Sequence, residues 1–128
     1  QRLIMKKSLS EIPSTPLQAG EGASMQMLIS PEVAPHFAMR KFVIKKDGHM
    51  PFHTNTVEHE QYVLKGKARV RMGDDSFIAV KDDVIFVPAG VPHSYHVIGD
   101  EDYEFLCLIP NQEDKIEMVN AGGQSCGC

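Results

Sequence analysis

The sequence predicts an all-β fold in which short strands close into a barrel or a sandwich. Three observations support this prediction. Apolar residues alternate with polar ones over short runs, clusters of Gly, Pro and Asp separate these runs, and no stretch shows the 3.6-residue apolar period of a helix. At 128 residues the chain is long enough to bury one core, so a single domain is expected.

Taken in order, the runs predicted to be strands are residues 42–44, 62–64, 68–72, 77–80, 84–87 and 104–109. Turns are predicted between them, at residues 73–75, 81–83, 88–90 and 99–102. Residues 1–23 are expected to form an N-terminal arm, because residues 8–23 contain two prolines and two glycines. The barrel is expected over residues 24–112. Residues 113–128 are expected to form an extension that ends in a flexible Cys-Gly-Cys tail.

The spacing of the histidines indicates a metal site. His53 and Asn55 are two residues apart, so on a strand both side chains face the same side. His59 precedes the apolar run that stops at Gly66, and His93 follows a Pro/Gly turn into another strand. Imidazole is the commonest metal ligand in proteins, and a small barrel can aim three of them at one ion. We therefore expect a mononuclear metal site.

These residues resemble the cupin superfamily, in particular its small single-domain barrels, over residues 24–112. The first motif of that family begins with Gly and continues with His-x-His and then a Glu. Six residues lie between that Glu and a second Gly. The second motif runs from Gly through Pro-x-Gly to His. His53 and His93 match the first and last ligand positions, and the turn positions are matched by Gly66, Pro88 and Gly90.

Four positions depart from the family pattern. Asn55 stands where a second His is usual and His59 where the Glu is usual, whereas Asp82 stands at the first Gly of the second motif and Val97 where an Asn often closes it. Asp is tolerated there because it adopts left-handed conformations more readily than most residues. A His followed by Glu60 at this position resembles a cupin subgroup that binds metal through histidines alone. The resemblance implies a double-stranded β-helix, or jelly roll, with one divalent transition metal ion per chain (Mn, Fe, Ni, Zn or Cu).

The expected metal ligands are His53, His59 and His93. Asn55 either ligates the ion through its amide oxygen or hydrogen-bonds a metal-bound water. Strand alternation from the ligands turns a further set inward, namely Gln61, Val63, Tyr95 and Val97. The resemblance places Phe105, Cys107 and Ile109 on the pocket face as well. His49 and His96 are further candidates by proximity. His96 is out of phase with His93 and is expected to face the opposite side, and His49 is expected to precede the strand that carries His53. His36 is expected to be solvated.

Two further residues are candidates for contact with a substrate. Arg40 shares a face with Phe42 and Ile44, which places an arginine at the pocket rim. It pairs there either with a substrate carboxylate or with a structural ion-pair partner. Tyr95 either donates to a bound ligand as an acid or hydrogen-bond donor, or forms part of the pocket wall.

The ligand set constrains the chemistry of the site. Neutral imidazoles and an amide leave a divalent ion with its full charge, which favours an anionic chelate and lowers the pKa of a bound water. The first hypothesis is a metal-dependent oxygenase or oxidase of a small anionic or enolisable molecule. The second is a non-catalytic metal-binding or small-molecule-binding protein, a sensor or carrier. An isomerase is a third, although few carboxylates face the lumen to supply an acid/base pair.

Composition limits the partners. A net charge of −4 argues against nucleic acid, and the alternation of Lys65, Lys67, Arg69 and Arg71 with smaller residues is typical of the solvent face of one strand. No apolar run approaches the length of a membrane span, and no signal-peptide pattern is visible, so a soluble cytoplasmic protein without a membrane partner is expected. The resemblance implies a homodimer, in which arms cover exposed sheet edges.

The three cysteines imply no disulfide framework. Cys107 lies in an apolar run and is expected to be a buried small side chain, or a site of oxidation if it lies near the metal. Cys126 and Cys128 close the chain on the flexible tail. They bind a soft metal, take part in thiol exchange, or belong to an end whose purpose the sequence does not reveal.

Overall fold

The computed structural model describes residues 4–119, and these form ten strands and one 3₁₀ turn (Leu9–Glu11), with no α-helix. The strands are β1 (Thr15–Pro16), β2 (Glu21–Ile29), β3 (Phe37–Asn55), β4 (His59–Lys65), β5 (Lys67–Met72), β6 (Asp75–Val80), β7 (Val84–Val87), β8 (His93–Ile98), β9 (Tyr103–Pro110) and β10 (Ile116–Met118). All six predicted runs lie within strands, so the all-β prediction is confirmed. The sequence pattern did not predict β1, β2 or β10. Within residues 4–119, no helix is long and apolar enough to cross a bilayer.

The strands form one curled antiparallel sheet in the order β6-β5-β8-β3-β9-β4-β7. Strand β3 belongs to both halves of this sheet. Its first part pairs with β9, from Phe37 opposite Pro110 to Ile44 opposite Tyr103. Its last part pairs with β8, where His53 lies opposite His93. The sheet therefore folds over along β3 into a jelly-roll barrel.

The corner in β3 lies at residues 47 and 48. Asp47 has a φ of 65°, and a Cβ on Gly48 would lie 2.5 Å from the backbone oxygen of Glu21. A side chain at residue 48 would therefore collide with β2 where the two strands cross. Asp82, with a φ of 73°, is the other non-glycine residue with a positive φ among those the structure describes, which confirms that Asp adopts a left-handed conformation at this position. The hydroxyl of Tyr62 donates to Asp82 Oδ1 at 3.0 Å and supports this turn.

An apolar core fills one end of the barrel. Phe105 lies at its centre, with its ring centroid 5.2 Å from that of Phe42, 5.3 Å from that of Tyr95 and 5.4 Å from that of Tyr103. Val63 and Ile44 complete the layer and are fully buried. Aromatic rings at these separations add to the free energy that burial alone provides. This plug closes the barrel below the cavity that contains the histidines.

A β-bulge in β3 changes which side chains face inward. The pairing of β3 with β8 shifts register between Met50 and His53, across Pro51 and Phe52. Met50 and His53 are an odd number of residues apart, yet both line the same cavity. Regular alternation would place them on opposite faces, so the bulge is what turns both inward.

Candidate metal centre

The open end of the barrel contains a cavity of about 310 Å³ above the apolar core. Its wall is largely apolar, with a small group of polar side chains gathered at two places. The described residues that line it are Leu17, Gln18, Ala19, Met25, Arg40, Phe42, Met50, Pro51, His53, Asn55, His59, Gln61, His93, Tyr95, Phe105, Cys107, Ile116 and Met118. A pocket of this kind, apolar with a few convergent polar groups, is typical of a small-molecule site.

Three imidazoles share this cavity. His53 on β3 and His93 on β8 are cross-strand partners, and their ring centroids are 4.3 Å apart. His59, at the start of β4, has its ring centroid 5.8 Å from that of His93. All three side chains are buried, with His93 only 1% exposed. The barrel thus brings together the three histidines that the sequence singled out, from three different strands.

Backbone carbonyls fix the orientation of two of the rings. His53 Nδ1 lies 2.7 Å from the carbonyl oxygen of Pro51, and His93 Nδ1 lies 3.0 Å from that of Val91. A carbonyl only accepts hydrogen bonds, so Nδ1 carries the proton in each ring. In the neutral form, the free lone pair is then on Nε2. This is the tautomer and the type of outer contact that metal-binding histidines use.

His59 leaves a buried nitrogen without a partner. Its Nε2 makes no hydrogen bond and is shielded from solvent. A buried polar atom without a partner costs free energy, and the large majority of such atoms in folded proteins are satisfied. A metal ion would supply the missing interaction.

Burial favours the neutral imidazoles. It lowers the pKa of His53, and it lowers the pKa of His93 to about 4. Burial, together with the positive charge of Arg40, lowers the pKa of His59 to about 3. The unprotonated ring is the form that binds metal ions, so this environment is suited to ligation.

Asn55 offers an oxygen beside the imidazoles. Its Nδ2 donates to Asp114 Oδ2 at 3.0 Å, and Asp114 Oδ1 also accepts from the backbone N–H of Thr56 at 3.1 Å. This contact fixes the amide, and it leaves Asn55 Oδ1 buried without a partner. The carboxylate of Asp114 therefore orients the amide oxygen as an outer contact orients a metal ligand.

These features fit a metal ion, and the rings must adjust to hold one. Among residues 4–119, no three His, Cys, Asp or Glu side chains already stand in an arrangement that could hold an ion. The donor set nevertheless fits, because it presents two lone pairs of fixed tautomer, one unpartnered imidazole nitrogen and one unpartnered amide oxygen. Small rotations of these side chains would be needed to bring the donors onto one ion.

A second polar group lies across four adjacent strands of the same cavity, and we call it the arginine row: Arg40, Cys107, Gln61 and Tyr95. Arg40 on β3 and Gln61 on β4 both lie opposite Cys107 on β9. Arg40 Nη2 donates to Cys107 Sγ at 3.3 Å, and Gln61 Nε2 donates to the hydroxyl oxygen of Tyr95 at 2.6 Å. Burial raises the pKa of Cys107 and that of Tyr95, so both side chains stay protonated and neutral.

Not every predicted pocket residue lines the cavity. Gln61, Phe105 and Cys107 do, whereas Val63 lies one layer deeper, in the apolar core. Ile109 packs against the core and faces a separate surface depression. The reason is position along the strand, because alternation fixes the face of a side chain but not its depth.

The remaining histidines lie away from the cavity. His36 and His96 are exposed, and the rings of His49 and His96 stack on the outer face with centroids 6.0 Å apart. His49 lies within β3, although the sequence placed it before the strand. Glu58 and Glu60 are exposed. Cys126 and Cys128 lie outside the described residues.

Sequence reasoning missed several cavity residues that come from both ends of the chain. Leu17 and Gln18 belong to the expected arm, and Ile116 and Met118 belong to the expected extension. Strand β10 pairs with β3 at Asn55 and His53, which brings the extension over the candidate metal ligands. The alternation of apolar residues at 116 and 118 was the available signal, and it was too short to predict a strand.

Asp114→Ala is expected to weaken metal binding by about tenfold, because outer contacts of this kind contribute about 10- to 100-fold to affinity. Without the carboxylate, Asn55 can turn its oxygen away from the site. Titration of the purified variant with a divalent ion by calorimetry measures the change. Glu113→Ala is the matched control, since its side chain is exposed and reaches only Lys115, at 4.0 Å. Equal affinities in the two variants would show that Asn55 plays no part.

Comparison with known proteins gives one family match. A sequence model of the cupin domain matches residues 40–109, more than half of the chain. No curated protein sequence is significantly similar.

Several solved structures share the architecture. The polyketide cyclase RemF from Streptomyces resistomycificus superposes with a TM-score of 0.85 and 22% identity, over 92% of this chain and 87% of that one. A cupin-2 domain protein from Rhodospirillum rubrum superposes with a TM-score of 0.81 and 17% identity, over 96% of this chain and 85% of that one. A predicted oxalate decarboxylase from Thermotoga maritima superposes with a TM-score of 0.74 and 23% identity, over 83% of this chain and 98% of that one. At these identities the likeness concerns the fold.

Proposed function

This chain belongs to the cupin superfamily, and from that premise we propose that it is a metal-dependent oxidoreductase. In this proposal, one divalent transition metal ion is held by His53, His59 and His93, with the amide oxygen of Asn55 beside them. The substrate is a small anionic or enolisable molecule that chelates the ion. The observation that carries the proposal is the buried, unpartnered Nε2 of His59, next to two imidazoles of fixed tautomer.

The bound ion would supply a full double positive charge, uncancelled by any carboxylate ligand, which stabilises an anionic oxygen of a chelated substrate. The protein itself holds the imidazole rings in place and shields the bound substrate from water. Pro51 and Val91 keep the rings of His53 and His93 in one tautomer through their carbonyls. The apolar wall, which includes Met25, Met50 and Phe105, excludes water from the bound substrate and so strengthens the electrostatic interactions inside.

Proton transfer has few candidates in this cavity. Among the described lining residues there is no Asp or Glu, and Tyr95 stays protonated because burial raises its pKa. Tyr95 can therefore donate a hydrogen bond to a substrate oxygen, but it cannot act as a base at neutral pH. This disfavours isomerisation, which needs an acid/base pair. Chemistry that depends on the chelated ion fits the cavity better.

The buried, unpartnered Nε2 of His59 also supports a second candidate function, that of a carrier or sensor that binds a metal chelate without turnover. One experiment separates the two. Purified protein is loaded in turn with Mn, Fe, Ni, Cu or Zn, the bound metal is determined by elemental analysis, and oxygen uptake is followed with α-keto acids and flavonol-like compounds. One equivalent of ion and metal-dependent oxygen uptake are expected. Binding without uptake would favour the carrier, and no bound ion would refute both.

We further propose that the protein works as a homodimer. The outer face of β4 and β7 presents three exposed apolar side chains, with Tyr62 41%, Val84 74% and Phe86 54% exposed. Strand β7 is also an edge of the sheet within the described residues. A second copy on this face would cover both the side chains and the edge. Sedimentation equilibrium of the purified protein is expected to give twice the chain mass, and a monomer would refute the proposal.

A further inference from the structure

We propose that Arg40, assisted by Tyr95, binds a carboxylate at the end of the substrate remote from the metal ligands. The substrate class that fits is a planar aromatic carboxylic acid with a pair of chelating oxygens on the opposite side of its ring. This inference rests on the proposed function, because it names the substrate class of the same cavity. It adds a second anchoring point, independent of the histidines.

The first argument is the charge of Arg40, which no acidic side chain balances. None of the ion pairs among residues 4–119 includes this residue, whereas its neighbour Lys41 pairs with Glu104 at 2.9 Å on the other face. The contact that Arg40 Nη2 makes is with Cys107, which is a neutral thiol. Arg40 is half-buried, and a charge that is partly removed from water without a counter-ion carries a cost, so such groups are normally paired. An anionic ligand would provide the missing partner.

The second argument is that two hydrogen-bond donors of the arginine row have no acceptor among the described residues. Arg40 Nε is buried without a partner. The hydroxyl oxygen of Tyr95 accepts from Gln61 Nε2, which leaves the hydroxyl hydrogen available to donate. The guanidinium carbon lies 4.8 Å from the centroid of the Phe42 ring, which holds the group and leaves its edge for an acceptor. Nε–H and Tyr95 O–H together suit the two oxygens of a carboxylate.

The third argument is spacing. Gln61, in the arginine row, follows His59 by two residues on β4, a step of about 7 Å along a strand. A ligand that reaches from the histidines to Arg40 therefore needs its two polar ends separated by roughly the width of one substituted aromatic ring. The cavity wall is largely apolar and includes Phe42 and Phe105, whose rings stack at 5.2 Å with an angle of 11°. A flat aromatic body fits this surface.

The test compares two probes that differ only in the carboxylate, 3,4-dihydroxybenzoate and catechol. Zinc-loaded protein is used without oxygen, because zinc has no redox chemistry that would consume the probes, and affinities are measured by calorimetry. The wild type is expected to bind 3,4-dihydroxybenzoate about tenfold or more tightly than catechol. Arg40→Met is expected to remove this preference, so that the ratio of the two affinities falls to about one. Tyr95→Phe is expected to reduce the preference by a few-fold.

The control is Lys41→Met, which changes the net charge equally at the next residue but on the outer face, and it should keep the full preference. If Arg40→Met does not fold, Arg40→Lys serves instead. It keeps the charge but lacks Nε–H, so it should lose most of the preference. Equal binding of both probes to the wild type, or a preference that survives at Arg40→Met, would overturn the inference.

A separate arm distinguishes failure of this inference from failure of the proposed function. Benzoate is titrated into metal-free protein, where only the arginine row can recognise it. Binding by the wild type that is lost in Arg40→Met supports the inference even if no zinc is retained. Retained zinc and catechol binding without any benzoate binding would leave the proposed function standing and refute the role of Arg40.

Discussion

His59→Ala is expected to abolish stoichiometric metal binding, with an affinity at least about 100-fold below that of the wild type, a loss greater than that caused by removing an outer contact. The reason is that His59 supplies the donor from β4, which no neighbouring side chain can replace. Its Nε2 is buried and makes no hydrogen bond. Removing the ring also removes this unsatisfied nitrogen, which offsets part of the packing lost with a buried side chain, so the variant should remain folded.

The measurement combines elemental analysis after dialysis with thermal unfolding in the presence and absence of the ion. A ligand that binds only the folded state raises the melting temperature, so the wild type should gain stability on metal addition and His59→Ala should not. His96→Ala is the matched control, because His96 is exposed on the outer face. If His59→Ala retained one equivalent of ion with unchanged affinity, His59 would not be a ligand.

Gly66→Ala is expected to destabilise the fold by about 4 kcal/mol, the sum of left-handed backbone strain and a steric clash. Gly66 has a φ of 82°, and a Cβ placed on it would lie 2.2 Å from the carbonyl oxygen of Asp102. That oxygen belongs to the backbone just before β9, so the clash can be relieved only by moving β4 away from β9. These two strands carry His59, Gln61 and Cys107, so the cavity would be distorted as well.

Gly99→Ala separates the two contributions. Gly99 has the same φ of 82°, but an added Cβ would have nothing within 4 Å. This variant is expected to lose only the strain, about 1 to 2 kcal/mol. Urea unfolding of both variants gives the free energies of unfolding directly. Similar losses in the two proteins would show that the contact with Asp102 does not restrict residue 66.

The sequence was sufficient to predict the barrel and the three histidines, because both depend on local pattern. Alternating apolar runs define strands wherever one face is buried, and the spacing from His59 to Gly66 and from Pro88 to His93 matches a family motif. The left-handed turn at Asp82 was predictable for the same reason. It depends on the conformational preference of one residue type.

Other features depend on tertiary structure and could not be predicted. His49 lies four residues before His53 and shares its parity, so regular alternation would turn both inward. The bulge between Met50 and His53 reverses the face to which His49 points, so His49 lies on the outer face against His96. A single sequence gives no signal for a bulge that depends on how β3 pairs with β8.

The contact between Asp114 and Asn55 was equally hidden, because it joins residues that are far apart in the chain. So was the unbalanced charge of Arg40, which is recognised only when its neighbours are known. The sequence left open whether Arg40 pairs with a substrate or with another side chain. The described structure offers it no acidic partner, and this is why its role could be proposed only after the fold was known.

The central claim is that His53, His59 and His93 bind one ion inside the barrel. The most direct test is a crystal structure of protein loaded with one equivalent of nickel or zinc, with the metal located by its anomalous scattering. We expect one peak in the cavity, with Nε2 of all three rings at about 2.0 to 2.1 Å from it. A cavity without a peak, or an ion held elsewhere by other side chains, would contradict the claim.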